Sequence, residues 1–184
     1  MICLFSIQAW AQSGKLFNTD NQLSSNLATQ VFQDKSGFIW IATRNGLNNY
    51  DGYHINVIKK DMANFLGLNS NYINSIAQDE KEHILLGTNN SLLEFTGSEF
   101  LKIPMLDSKG EELATYVKQV YTLKNKDVAV ATSGYGIMLK KKDEQKCHAM
   151  KGEVEKLKYI HKLLEDKRGR LWIITEDGKF YRKE

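Results

Sequence analysis

The sequence predicts an all-β fold assembled from repeated four-stranded antiparallel meanders. Three observations carry that expectation. One turn-and-strand unit recurs along the chain, tight-turn signals fall every few residues, and helical periodicity is nearly absent outside a short helix expected over 152–158.

The unit is clearest in its first copy. Asp34-Lys35-Ser36-Gly37 puts an aspartate where its carboxylate can accept from amides two or three residues on, and Gly37 tolerates positive φ. Phe38 to Thr43, with Trp40 at its centre, is apolar on both alternating faces, as in a strand covered on both sides. Asn45-Gly46 is a type I′ hairpin signal. Leu47 to Tyr50 follows, Asp51-Gly52 turns again, and His54 to Ile58 completes a fourth strand.

Sliding the chain along itself repeats the unit. Asp166 to Thr175 matches Asp34 to Thr43 at a spacing of 132, with Gly169, Trp172 and Thr175 in register and Gly178 standing for Gly46. At a spacing of 45, Asp79 to Thr88 fills the next copy, with Leu85 in the place of tryptophan. The third copy, Asn125 to Thr132, keeps the strand and the threonine but loses the Asp-x-x-Gly turn. A period near 44 with four strands per copy predicts the blades of a β-propeller.

The expected divisions are a leading strand and linker at 12–22 and blades at 23–60, 61–103, 104–150 and 151–184. The fourth copy shows three strands, Leu163–Asp166, Leu171–Thr175 and Lys179–Arg182. Lys15-Leu16-Phe17 sits where the outer strand of a preceding blade belongs. About four blades in an open arc are therefore expected, rather than a closed ring.

Composition narrows the partners. The chain has 184 residues, 42% apolar and 26% charged, an ordinary globular balance. A net charge of +3 is too small to imply nucleic acid, and the basic run from Lys140 to Lys158 is interleaved with Asp143, Glu144, Glu153 and Glu155 as on a solvated face. Residues 1–11 read as the remnant of a secretory signal: the stretch from Ile2 is apolar and ends in Ala9-Trp10-Ala11, although no basic residue precedes Lys15. That places the mature protein outside the cytoplasm, in the periplasm or extracellular space. No apolar run reaches the ~18 residues of a membrane span, so the chain as given is not expected to be membrane-integral. If Cys3 leaves with the signal, Cys147 stands alone and the fold holds by packing, with Trp40 and Trp172 between neighbouring blades.

No catalytic, cofactor or metal set is expected. His54, His83, His148 and His161 lie apart, without His-x-x-x-His spacing or paired cysteines. Asp34, Asp79 and Asp166 recur at the structural period, which marks them as turn caps. Ser133-Gly134-Tyr135-Gly136 is not a nucleophile elbow.

Geometry still indicates where a ligand would bind. In a four-strand blade the turns between the second and third strands share one face with the long inter-blade connectors. This connector face carries Arg44-Asn45, Asn89-Asn90, Gly134-Tyr135 and Glu176-Asp177, with the loops around 61–71 and 104–115. Such positions vary between copies while the framework repeats, as where loops carry function on a rigid scaffold. Arg44, Asn45, Asn89, Asn90 and Tyr135 are the candidate ligand residues, suited to hydroxyl-rich molecules through hydrogen bonds and stacking.

Leu23-Ser24-Ser25-Asn26, then Gln33-Asp34 through Trp40 and Thr43 to Tyr50-Asp51-Gly52, resembles the two-component-regulator propeller repeat. The similarity runs from Leu23 to Tyr181. It is nearly continuous in blade one and partial in the middle of blade four. Blade two lacks the glycine and tryptophan, and blade three keeps fragments. The resemblance implies an extracytoplasmic sensor propeller, usually ahead of a transmembrane helix, a histidine kinase and sometimes a DNA-binding regulator. It also implies a small glycan fragment as ligand. A second copy or neighbouring blades are further partners to expect. The alternatives are a non-catalytic scaffold for protein contact and, behind it, a propeller lyase or glycosidase.

Overall fold

The structure, a computed structural model, describes residues 14–61 and 66–184. The expected signal remnant, with Cys3, lies outside the described residues, as does part of the 61–71 connector.

Four separate sheets follow one another along the chain. The first contains β1 (Ala28–Gln33), β2 (Ile39–Thr43), β3 (Gly46–Tyr50) and β4 (Ile55–Ile58), paired antiparallel in sequence order. The second repeats it with β5 (Ile73–Gln78), β6 (Ile84–Thr88), β7 (Leu92–Phe95) and β8 (Phe100–Ile103). Blade three holds β10 (Val117–Thr122), β11 (Val128–Thr132), β12 (Ile137–Lys140) and β13 (Cys147–Ala149). It also takes a fifth strand, β9 (Met105–Leu106), parallel on the outer edge of β13. Blade four has β14 (Ile160–Glu165), β15 (Leu171–Thr175) and β16 (Phe180–Lys183).

Three local expectations change. The stretch from Pro104 to Thr115, expected as loop, contains β9 and another Asp-x-x-Gly turn. There Asp107 Oδ1 accepts from the amides of Lys109 and Glu111, so the chain folds back and β9 covers an edge. The helix expected over 152–158 is a single 3-10 turn, Glu153–Lys156. The described part of the leading segment is not a strand but irregular chain and a 3-10 turn, Thr19–Asn21, capped by Asn18. It rests on blade one itself, with Phe17 edge-on to Tyr50 at 5.2 Å.

The first strand of each sheet is an edge strand, and an edge leaves a row of backbone groups unpaired. In blades two to four, side chains of the preceding blade satisfy some of them. Gln30 on β1 donates to the Ile76 carbonyl and accepts from its amide, both at 2.9 Å. Gln119 on β10 does the same for Leu163 on β14, at 3.2 and 2.7 Å. Between blades two and three a shorter side chain serves: the Val120 amide donates to Ser75 Oγ at 3.0 Å.

Apolar side chains fill the three seams. Trp40, Leu47, Ile76, Leu86 and Phe100 lie in the first, with Phe95 edge-on to Trp40 at 5.9 Å. Leu85, Leu92, Val120 and Met138 lie in the second, and Ala131, Ile137, Leu163 and Ile173 in the third. Among the described residues no strand pairing joins blade four to blade one, so the arc is open. The repeated tryptophan therefore has two fates. Trp40 is buried in a seam, whereas Trp172 is half-buried on an uncovered face, stacked on the exposed Phe180 at 5.1 Å. Contrary to the expectation, Trp172 is not packed between blades among the described residues. No described helix is long and apolar enough to cross a membrane.

Candidate functional site

The recurring aspartates cap their turns and do more. Asp34 Oδ1 accepts from the Phe38 amide at 3.0 Å while Oδ2 accepts from the Trp40 indole at 2.7 Å. Asp166 repeats this, taking the Arg170 amide at 3.1 Å and the Trp172 indole at 2.9 Å. The side-chain bonds from Trp172 and Arg170 hold the Asp166 carboxyl well below the usual carboxylate range. The sequence carried the signal for the second bond: aspartate and tryptophan stand six residues apart in both copies.

The turns between second and third strands do lie against the connectors. Gly46 donates its amide to the Asn71 carbonyl and Gly134 to the Lys158 carbonyl, both at 2.8 Å. Two residues further on, Gly136 has φ 74°, and a Cβ there would collide with the Leu157 carbonyl, so only glycine lets turn and connector meet.

Of the candidate ligand residues, Arg44 is the best placed. Its guanidinium lies 5.6 Å above the Tyr72 ring. Tyr72 meets Tyr116 edge-to-face at 6.1 Å, and the Lys118 ammonium lies 4.7 Å above Tyr116. Lys118 then pairs with Glu176 at 3.1 Å, and Ser133 Oγ bonds the same carboxylate at 2.9 Å. A continuous strip of cationic and aromatic groups thus crosses from blade one to blade four. Sequence reasoning missed its tyrosines. The available signal was periodicity, because Tyr72, Tyr116 and Tyr159 each immediately precede the first strand of a blade.

The electrostatics of the strip are settled by burial and pairing. Burial, with a smaller effect from the neighbouring Tyr72, pushes the Tyr116 hydroxyl up to about 12, so it stays a neutral donor; it bonds Asn74 Oδ1 at 2.8 Å. Burial works to raise the Glu176 carboxyl, but hydrogen bonds from Lys118 and Ser133 outweigh it and leave the group ionised.

The asparagines are less available. Asn89 Oδ1 accepts from Ser70 Oγ at 2.8 Å, and Asn90 Oδ1 accepts from Thr88 Oγ1 at 3.0 Å. Asn45 is exposed, with its amide bonded to Thr43 Oγ1 at 3.0 Å. Tyr135 is 45% exposed beside a separate hollow lined by Asp107, Ile137 and Lys158. The structure does not gather these residues around Arg44. A hollow of about 630 Å³ lies between blades three and four and is lined by Asp127, Lys141, Glu144, His148 and Lys183. Some of its charges are paired with one another: Lys141 with Asp127 at 2.9 Å and His148 with Glu144 at 3.9 Å.

Two more features bear on chemistry. Cys147 is fully buried, which pushes its thiol up to about 12 and makes it a poor nucleophile. His83, isolated in the sequence, is brought to Asp79 and Glu94, with the ligand-capable atoms of all three within 4.8 Å of one another.

Comparison with known proteins agrees with this architecture. The model of the two component regulator propeller family matches residues 22–45, 67–90 and 156–177. No curated protein matches the chain. Among solved structures, the extracellular domain of the hybrid two component system BT3049 from B. thetaiotaomicron is similar over 92% of this chain and 24% of its own, with 19% identity and a TM-score of 0.72. The extracellular domain of BT4673 from the same organism, described as a one component system, aligns over 85% of this chain and 24% of its own, with 17% identity and a TM-score of 0.69. A catalytically inactive variant of virginiamycin B lyase from Staphylococcus aureus shares the fold at 9% identity over 85% of this chain and 55% of its own, with a TM-score of 0.61. The chain spans about a quarter of the length of these two extracellular domains.

Proposed function

From a chain that carries repeats of the two component regulator propeller family, we propose a ligand-binding module of an extracytoplasmic sensor, with a small glycan as its ligand. The observation that supports this reading is the strip Arg44–Tyr72–Tyr116–Lys118 on the connector face. Tyrosine rings offer apolar faces for sugar C–H groups, and their hydroxyls, with the flanking cations, offer hydrogen bonds. Arg44 at one end favours a ligand that also carries an acidic group, because Lys118 at the other end is already paired with Glu176. Binding would be reported to signalling parts elsewhere, outside the cytoplasm in keeping with the sensor domains it resembles.

Calorimetric titration with neutral and uronic-acid oligosaccharides tests the reading. The expected result is binding that Tyr116→Ala and Arg44→Ala each abolish without lowering the melting temperature of the fold by more than a few degrees. A panel without binding, or binding indifferent to both variants, overturns it.

A second reading is favoured by one observation. On the uncovered face of blade four, Leu164 and Phe180 are 58% and 62% exposed and frame a hollow of about 310 Å³ with Trp172 and Ile174. Such a face suits a protein contact, as in a scaffold. Phe180→Glu separates the two readings: it disrupts an assembly seen by light scattering and leaves oligosaccharide binding intact.

A further inference from the structure

We propose that Asp79, His83 and Glu94 form a binding site for one Zn²⁺ ion in blade two, on the face opposite the tyrosine strip. Asp79 immediately follows β5, His83 precedes β6, and Glu94 lies in β7, so a turn and the next hairpin converge on one point.

The case begins with charge. Asp79 is 6% exposed and Glu94 4%. Two buried carboxylates in one cluster repel, and each loses much of its hydration, so the arrangement favours a cation. Among the described residues neither forms an ion pair with lysine or arginine; the partner of Glu94 is His83, with Nδ1 at 3.0 Å from Oε1. Asp79 Oδ1 accepts the His83 amide at 2.9 Å. Among the described residues no hydrogen bond reaches the second oxygen of either carboxylate.

The other blades act as an internal comparison. Where the aspartate has a tryptophan six residues on, the indole occupies its second oxygen: Trp40 for Asp34 and Trp172 for Asp166. Blade two puts Leu85 there and removes the donor. The residue paired across from that position is Asn49 in blade one and Arg182 in blade four, but Glu94 in blade two. Blade two has therefore exchanged a donor for an acceptor beside an aspartate. A bound cation supplies what both changes removed.

The ligand types select the ion. One imidazole nitrogen with two carboxylate oxygens suits Zn²⁺ in a four-coordinate site whose last position holds water. Calcium asks for six to eight oxygens, which this cluster does not offer. Ligand atoms about 2.0–2.1 Å from a tetrahedral zinc stand about 3.3 Å from one another, close to the separation of His83 Nδ1 and Glu94 Oε1. The His83 side chain is 29% exposed, which opens a path for the ion.

The test is titration of chelator-treated full-length chain with ZnCl₂, followed by calorimetry and by metal analysis after gel filtration. One equivalent should bind and raise the melting temperature, and Co²⁺ in its place should give the visible absorption of a tetrahedral site. Glu94→Gln, nearly isosteric, should weaken binding about tenfold or more, and His83→Ala should abolish it. His148→Ala, in blade three, should leave it unchanged. Wild-type protein that binds no zinc overturns the proposal and leaves His83 and Glu94 as an ion pair only. Stoichiometric binding that survives both site variants, or is lost with His148→Ala, overturns it equally.

Discussion

Gln30 and Ile76 exchange two hydrogen bonds of 2.9 Å across the seam between blades one and two. A side-chain amide here completes a backbone edge that has no strand beside it. Gln30→Ala leaves a backbone N–H and C=O at a partly buried seam without protein partners and is expected to cost about 1–2 kcal/mol. Chemical denaturation should show a lower midpoint. If Gln30→Ala is as stable as the parent, water serves the edge equally well.

The Asp166 carboxylate gives a pH signature. Its folded-state value lies well below the ordinary 3.8, through the bonds from Trp172 and Arg170. A depressed carboxylate contributes stability that is complete above the unfolded value and lost as pH falls through the folded one. Asp166→Asn lacks that contribution at every pH. The gap in melting temperature between parent and variant should therefore be full near neutrality, shrink as pH falls below about 4, and close only as pH falls through the depressed folded-state value. A gap independent of pH would show that Asp166 acts only through its shape.

Trp40 and Trp172 share a repeat position and differ in surroundings. Trp40→Ala should open a cavity in a packed seam and cost about 3–5 kcal/mol. Trp172→Ala, on a half-uncovered face, should cost about 2 kcal/mol or less. Denaturant unfolding of the two variants checks the order, and equal losses would mean that a partner covers blade four in solution.

The leading segment sets Phe17 edge-on to Tyr50 of its own blade. Deletion of Gly14–Asp20 should then cost only about 1 kcal/mol, or about 2–4 °C. A much larger drop, with the chain still monomeric, would mean that this segment seals a ring.

Much of the fold was legible because the repeat states its own local chemistry several times. The turn caps at Asp34 and Asp166 were readable, since donor and acceptor lie within a few residues of each other. The indole bonds were equally local, but they go unread without geometry. The fifth strand of blade three was not legible, because two residues pairing parallel across an insertion leave no periodic pattern.

The candidate site divides in the same way. The sequence by itself determined the period, the four-strand unit, the capped turns and the face on which turns and connectors meet. Each depends on backbone preferences and hydrogen bonds spanning fewer than about ten residues. Tertiary structure decided which side chains meet across seams, Arg44 with Tyr72, Lys118 with Glu176 and Gln30 with Ile76, and that Glu94 meets His83 within blade two. It also decided that Trp40 is core and Trp172 is surface. These outcomes depend on strand register and on which blade stands beside which, and residues tens of positions apart carry no local signal of either.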